Sequence, residues 1–298
     1  MTNTTFTDRR PVMGGEAVIT VVGGSEAMLQ DAFALADLCD RLWSRFRETS
    51  ELTHINNAGG KRVEISPLTA ALINEMIEGF ELTSGDFNPT VLPAVLGVGY
   101  GRSQVHPELQ TEIAADARVF DSLEGVELQL DSVQLPAGMT LDSGGIGKGF
   151  AADVIAASLM KSGAQGAMVS MSGDVVVLGS APEGEAWRLG VEDPFDVSGH
   201  VQVVTLRDAA VVTSSQRKNL FDGGHHLINP VTLTSAETTA QTVSVIATTG
   251  ARAEVLAKCG FLRDIDEFLS WLPTVDAAGM VIDHDKTIRE SENWAAYL

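Results

Sequence analysis

The chain has 298 residues, 44% of them hydrophobic and 20% charged, and a formal net charge of −20 at pH 7. Such aliphatic content excludes a disordered chain and is enough for a sizeable core. The negative field argues against a nucleic-acid or anionic-membrane surface, because a polyanion would approach against it. An anionic ligand then needs local positive charge, and the sequence offers Lys148, the Arg217-Lys218 pair, Lys258 or a bound divalent cation. Residues 1–12 are polar with no apolar leader pattern, and no stretch is long and apolar enough to span a bilayer, so a cytoplasmic location is expected. Cys39 and Cys259 show no metal-ligand spacing and read as buried free thiols.

In chain order, the β-branched run 18–22 reads as a strand ending at Gly23-Gly24. Ser25 then caps a helix over 26–47, on which Leu35, Leu38, Leu42 and Phe46 form an apolar stripe. A second helix starts at Ser66 with Pro67 in its first turn, turns Leu68, Leu72, Met76 and Phe80 inward, and stops before Gly85. Between 86 and 101 the prolines and glycines forbid a regular helix, and 97–101 reads as a loop. A hairpin is expected over 125–135 and a strand over 139–141.

That strand leads into a glycine-rich bend, Asp142-Ser143-Gly144-Gly145-Ile146-Gly147-Lys148, where a helix over 150–162 begins; Gly163 stops it. Glycines admit close approach of an anion, the first helical turn offers unpaired N–H groups, and Lys148 adds a charge, so the bend suits a phosphate. It is neither a Walker loop nor a G-x-G-x-x-G dinucleotide turn. Strands at 167–171 and 175–178 flank Ser172-Gly173-Asp174, in which Asp174 reads as a local backbone acceptor. Further strands are expected at 188–192, 201–206, 210–213 and 242–247. Thr213 and Ser214 read either as phosphate donors or as the close of a strand. Residues 248–257 read as a loop entering a helix, and 265–271 as an amphipathic helix. Helices and strands mix without a strict βαβ rhythm, so the fold expected is α+β, one domain over 1–298 with a mixed or antiparallel sheet and packed helices.

Eight segments in order carry a resemblance to a family: Met13-Gly14; Phe46-Arg47-Glu48-Thr49-Ser50-Glu51-Leu52 with Asn56; Gly85-Asp86-Phe87-Asn88-Pro89-Thr90-Val91-Leu92-Pro93; the glycine bend through Asp153; Ser172-Gly173-Asp174 with Val191-Glu192-Asp193-Pro194; Thr213-Ser214-Ser215; His225-His226-Leu227-Ile228-Asn229-Pro230; and Ala253-Glu254-Val255-Leu256-Ala257-Lys258. Together they resemble the ApbE-type FAD:protein FMN transferases. The resemblance implies a chain that binds FAD and moves its FMN half onto a Ser or Thr hydroxyl of an acceptor flavoprotein domain, releasing AMP, with magnesium as the metal. It places Met13, Asp86, Phe87, Asn88, Asp142, Lys148 and Leu227 at the flavin nucleotide and His226 beside the transferring phosphate, as proton acceptor or cation. Lys148 becomes a charge stabiliser, and Gly145, through its carbonyl, and Glu254 become metal ligands. Read alone, Phe87 is a core aromatic, and His225 and His226 are a solvated and a loop histidine.

The chain departs from the family pattern at the metal. Glu254 stands where an Asp is usual and Lys258 where a Thr is usual, and an ammonium has three donors and no acceptor. Either Lys258 pairs with Glu254 at i, i+4 and weakens or replaces magnesium, or it points away and the metal stays. Asn88 and Asn229 replace Asp, and Leu233 and Ser215 replace Gly. Because these changes put the transfer step in question, a non-catalytic FAD-binding protein and an FAD pyrophosphatase giving FMN and AMP stand as alternatives.

Overall fold

A computed structural model describes residues 4–216, 220–221 and 224–298; the Arg217-Lys218 pair lies outside them. They fall into two compact units. One comprises Met1–Asp37, Lys148–Ser215 and Thr238–Leu298, the other Leu38–Gly147 and Gln216–Glu237.

The first unit is built on an eight-stranded sheet. Its order is Thr5–Val12, Gly15–Val22, Gly166–Met171, Asp174–Gly179, Ala209–Ser215, Ala240–Ala247, Ala278–Asp283 and Ile288–Glu290, and every neighbouring pair is antiparallel. The hairpin of Trp187–Asp193 and Asp196–Leu206 lays Trp187, Leu189, Val191, Val204 and Leu206 against Val177, Val211, Ile246 and Met280 on one face. The helix Gly250–Cys259 packs on the sheet as well, against Ala209–Ser215 and Ala240–Ala247. Covered by that hairpin cluster on one face and packed by the helix Ile265–Trp271, Ala278–Asp283 is buried at every position, which is why its sequence lacks the alternation that marks a half-buried strand. The first strand, Thr5–Val12, alternates exposed and half-buried residues and carries Asp8, Arg9 and Arg10. It is an edge strand, where charge guards unpaired backbone groups, and its polarity hid it from the sequence reading.

The second unit carries the helices Glu51–Asn56, Pro67–Thr83 and Leu92–Gly97 and a small antiparallel sheet ordered Val63–Glu64, Ser132–Gln134, Glu127–Leu128. Helix Pro67–Thr83 is as the sequence predicts: Ser66 accepts from the Thr69 N–H, and Ser84 (φ 55°) and Gly85 (φ 89°) close it in the left-handed region. The hairpin expected over 125–135 forms through the last two strands.

Several boundaries differ from expectation. The helix predicted over 26–47 ends at Trp43, because Ser50 caps a new helix, Glu51–Asn56, accepting from the Thr53 N–H at 3.0 Å, and Arg47 folds back onto Asp40. A helix, Leu92–Gly97, forms where proline was expected to forbid one. Pro93 sits in its first turn, where no N–H is needed. Residues 139–141 are not a strand. The Asn56 side chain bonds both backbone groups of Leu141, donating from Nδ2 to its carbonyl and accepting at Oδ1 from its N–H at 2.8 Å each, in place of a ladder partner. The helix after the glycine bend begins earlier than predicted, as Gly147–Lys161, and the helix entered from the loop at 248 is Gly250–Cys259. Cys39 and Cys259 are buried and in no disulfide, and burial pushes the Cys39 thiol up to about 12. No described helix is long and apolar enough to cross a membrane.

Candidate functional site

In the first unit two helix starts meet. Gly149, in the first turn of Gly147–Lys161, and Gly250, at the start of Gly250–Cys259, approach so closely that a Cβ on Gly149 would run into the Gly250 carbonyl. Each helix supplies a carboxylate to the other's start. Asp153 accepts from the Gly250 and Ala251 N–H groups at 2.7 and 2.9 Å, and Glu254 accepts from the Gly149 N–H at 2.8 Å. Carboxylates at helix N-termini satisfy orphan donors and meet the positive end of the dipole. The crossing is therefore reciprocal, each carboxylate lying four residues beyond the close-approach glycine of its own helix.

Glu254, with no exposed surface, is the hub of a charged cluster. The Lys148 ammonium lies 3.1 Å from Glu254 Oε1 and 3.5 Å from Asp174 Oδ2. Lys258 stands 3.9 Å from the same Oε1, at i, i+4, and donates to Ser214 Oγ at 2.9 Å. Burial alone would pull the Lys148 ammonium down, but Glu254 and Asp174 outweigh it and hold its pKa above the ordinary lysine value. Glu254 ends below the usual carboxylate value, because Lys148, Lys258 and the Gly149 N–H overcome its burial. For Lys258 burial wins over Glu254, aided by repulsion from Lys148, and its pKa falls. Asp174 is raised to about 6, by burial first, against the opposing pull of Lys148. Asp174 is thus not the local backbone acceptor expected from its turn. Ser172 (φ 59°) and Gly173 (φ 97°) make a two-residue turn of the type I′ pattern, and Asp174 opens the next strand 5% exposed and ion-paired.

Met13 belongs to the same unit. It is half-buried at φ 51° beside Gly14 in the turn between the first two strands. The two turns are neighbours, since the Ser172 N–H donates to the Glu16 carbonyl at 2.8 Å.

The remaining predicted residues lie in the second unit. Asp142 accepts from the Gly144 N–H at 3.2 Å and faces Arg45 Nε at 3.5 Å. Arg45 is itself 6% exposed, its guanidinium 4.3 Å over the Phe46 ring and 4.5 Å over the Tyr100 ring, with a bond to the Tyr100 carbonyl. Sequence reasoning missed it; its only signal was the aromatic that follows it. The glycine bend closes on itself, the Ile146 and Gly147 N–H groups both reaching the Ser143 carbonyl. Gly145 lies within this bend.

Phe87 is buried, as an isolated aromatic would be, and Asp86 beside it is half-buried. The Asn88 amide gives Nδ2 to the Phe120 carbonyl at 2.7 Å, while its Oδ1 accepts from the Thr90 N–H and hydroxyl at 2.8 and 2.7 Å. A carboxylate could not make the first bond, which accounts for Asn at a position where the family pattern has Asp. In the histidine loop, His225 Nδ1 accepts from the Leu227 N–H at 3.3 Å, so Nε2 carries the proton and donates to the Ala236 carbonyl at 3.1 Å. Burial pulls its pKa down, favouring this neutral form. Ser235 clasps His225 from the backbone side. His225 therefore pins the loop, and His226, half-buried, and Leu227, buried, follow from it.

The chain matches the ApbE family model over residues 13–281. It is 31% identical over 289 residues to the FAD:protein FMN transferase of Treponema pallidum, covering 89% of this chain and 79% of that protein. In fold it is similar to the ApbE protein of Thermotoga maritima (TM-score 0.85, 24% identity, 99% of each chain). It is similar also to the flavin transferase ApbE of Vibrio cholerae (TM-score 0.81, 20% identity, 99% of this chain and 100% of that one). A family pattern spanning most of the sequence, on a sheet and helices of matching fold, means that this chain belongs to the ApbE family.

Proposed function

We propose that this chain is an FAD:protein FMN transferase, acting as one catalytic domain over 1–298. The acceptor's Ser or Thr oxygen attacks the flavin-side phosphorus of FAD and forms a new P–O bond. The bond from that phosphorus to the AMP phosphate breaks, AMP leaves with the electron pair, and the hydroxyl proton passes to His226. Lys148 offsets charge that builds on the phosphates. Asp86, Phe87, Asn88, Asp142, Leu227 and Met13 are assigned to the flavin nucleotide.

The observation that carries this reading is Lys148, an ammonium held by two buried carboxylates in the first turn of a helix, in a chain whose curated relatives bear the transferase name. Incubation of the purified chain with FAD and an acceptor flavoprotein domain tests it. The expected product is a covalently fluorescent acceptor with one AMP released per flavin attached. FMN and AMP formed regardless of acceptor would mean a pyrophosphatase, and bound FAD without turnover a flavin-binding protein. His226→Ala is expected to slow transfer by about 10²–10⁴-fold while FAD still binds.

A further inference from the structure

The resemblance assigns magnesium to the Gly145 carbonyl, Glu254 and residue 258, and the side chains at 254 and 258 do not fit that role. Both oxygens of Glu254 are engaged within the protein, Oε2 by the Gly149 N–H and Oε1 by Lys148. The extra methylene of Glu over Asp supplies reach, and the carboxylate spends it on Lys148 and the helix start. One turn further along the same helix, Lys258 offers only donors. Magnesium takes oxygen ligands at about 2.0–2.1 Å, which on Glu254 Oε1 would set it beside two ammonium groups, 3.1 and 3.9 Å from that same oxygen. The cluster is also neutral already, two ammonium groups against two carboxylates, Glu254 and Asp174.

We propose that this chain works without a divalent cation at Glu254: the Lys258 ammonium, steadied by Ser214 and set beside Lys148, is the built-in cation for the substrate's diphosphate. Ser214 takes one of its three donors at 2.9 Å, and Glu254 holds it only loosely at 3.9 Å. It can therefore turn further donors to a phosphate oxygen without abandoning its own support. The nature of the anion rests on the flavin-transfer reading; the exclusion of the metal does not.

The test uses the full chain stripped with EDTA, with Mn2+ alone as probe, bound and free ion being separated by the EPR signal of the free ion. The native chain is expected to bind no Mn2+ stoichiometrically. Lys258→Thr, and Lys258→Thr combined with Glu254→Asp, are expected to gain one site, with affinity at least about tenfold above the native chain. Stoichiometric Mn2+ on the native chain overturns the proposal, and so does failure of both folded variants to gain a site. In a second arm, quenching of FAD emission by the native chain is expected to be unchanged by EDTA, whereas Lys258→Thr should bind FAD about tenfold more weakly in EDTA and recover with Mn2+. EDTA-sensitive FAD binding by the native chain also counts against it. If no form quenches FAD, the flavin-transfer reading fails, and the Mn2+ titration still decides the question of the metal.

Discussion

The two units hold their functional groups by different means. Around Glu254, charges answer charges: two lysines, three carboxylates and two helix starts interlock. In the loop unit, beyond the buried Arg45–Asp142 pair, neutral groups answer the backbone. Asn56 replaces a strand for Leu141, Asn88 ties Phe120 to Thr90, and His225 bridges Leu227 and Ala236. A buried ion pair gains strength from its low-dielectric surroundings but leaves a large penalty behind when one partner is lost. A side-chain amide stapled to the backbone spreads smaller energies over many bonds and shapes loops that no repeating hydrogen-bond pattern could hold. The charged crossing should therefore fail abruptly on single substitutions, and the loops by smaller steps.

The largest effect is expected at the hub. Glu254→Gln leaves Lys148 and Lys258 without their shared counter-charge and should cost about 3–5 kcal/mol, read as a fall in the denaturant midpoint with unchanged slope. Adding Lys258→Met to it should restore part of the loss, because one of the orphaned charges goes with it. A near-neutral Glu254→Gln would show that water reaches the cluster and erase the contrast between the units.

Next comes the strongest of the neutral staples. Asn56→Asp keeps an acceptor for the Leu141 N–H but turns a carboxylate oxygen toward its carbonyl, and should cost about 2–3 kcal/mol in the same measurement. A loss as large as at Glu254 would mean that the loop unit is no more tolerant than the crossing. Asn56 also marks where the sequence stops being readable. Ser66 with Pro67 announced a helix because caps are local, and the i, i+4 spacing of Glu254 and Lys258 allowed their pairing without deciding it. Asn56 and Leu141 lie 85 residues apart, and Glu254 and Gly149 lie 105 apart. Neither partnership leaves a periodic trace, so residues 139–141 read as a strand and the bond from the Gly149 N–H to Glu254 went unforeseen. Asp174 looked like any Gly-Asp turn, because what distinguishes it is burial against a lysine from another element. The edge strand Thr5–Val12 was missed for the opposite reason, its polarity being the device that protects an open edge.

Asp174 gives the comparison a pH axis. Its folded pKa of about 6 lies above the ordinary 3.8, so the folded state holds the proton more tightly than the unfolded chain does. Stability from this group is fully present below about pH 4 and is lost as pH rises through about 6. Asp174→Asn, which never has to ionise, should gain about 1–3 kcal/mol over the native chain at pH 8 and close to nothing at pH 4. Equal effects at both pH values would mean that Lys148 fully compensates the buried carboxylate. Asn88, a loop-unit amide that does not titrate, should show no such window on Asn88→Ala.

The smallest effect tests whether backbone strain is confined to a position that the amide staples already define. Leu233 has φ 61°, a left-handed conformation in which its Cβ is crowded, and its side chain is 46% exposed. Asn229 sets that turn without help from the Leu233 side chain: its Oδ1 accepts from the Val231 and Thr232 N–H groups at 2.9 and 3.2 Å, and its carbonyl accepts from the Leu233 N–H at 2.8 Å. Leu233→Gly removes the crowding but loosens the unfolded chain, two terms of similar size and opposite sign. The strain term should win narrowly, by about 0.5–1 kcal/mol, and raise the thermal midpoint by about 1–3 °C. A lowered midpoint would show that the exposed leucine packs on something worth more than the strain, and that the histidine loop is held by apolar contact as well as by its amides.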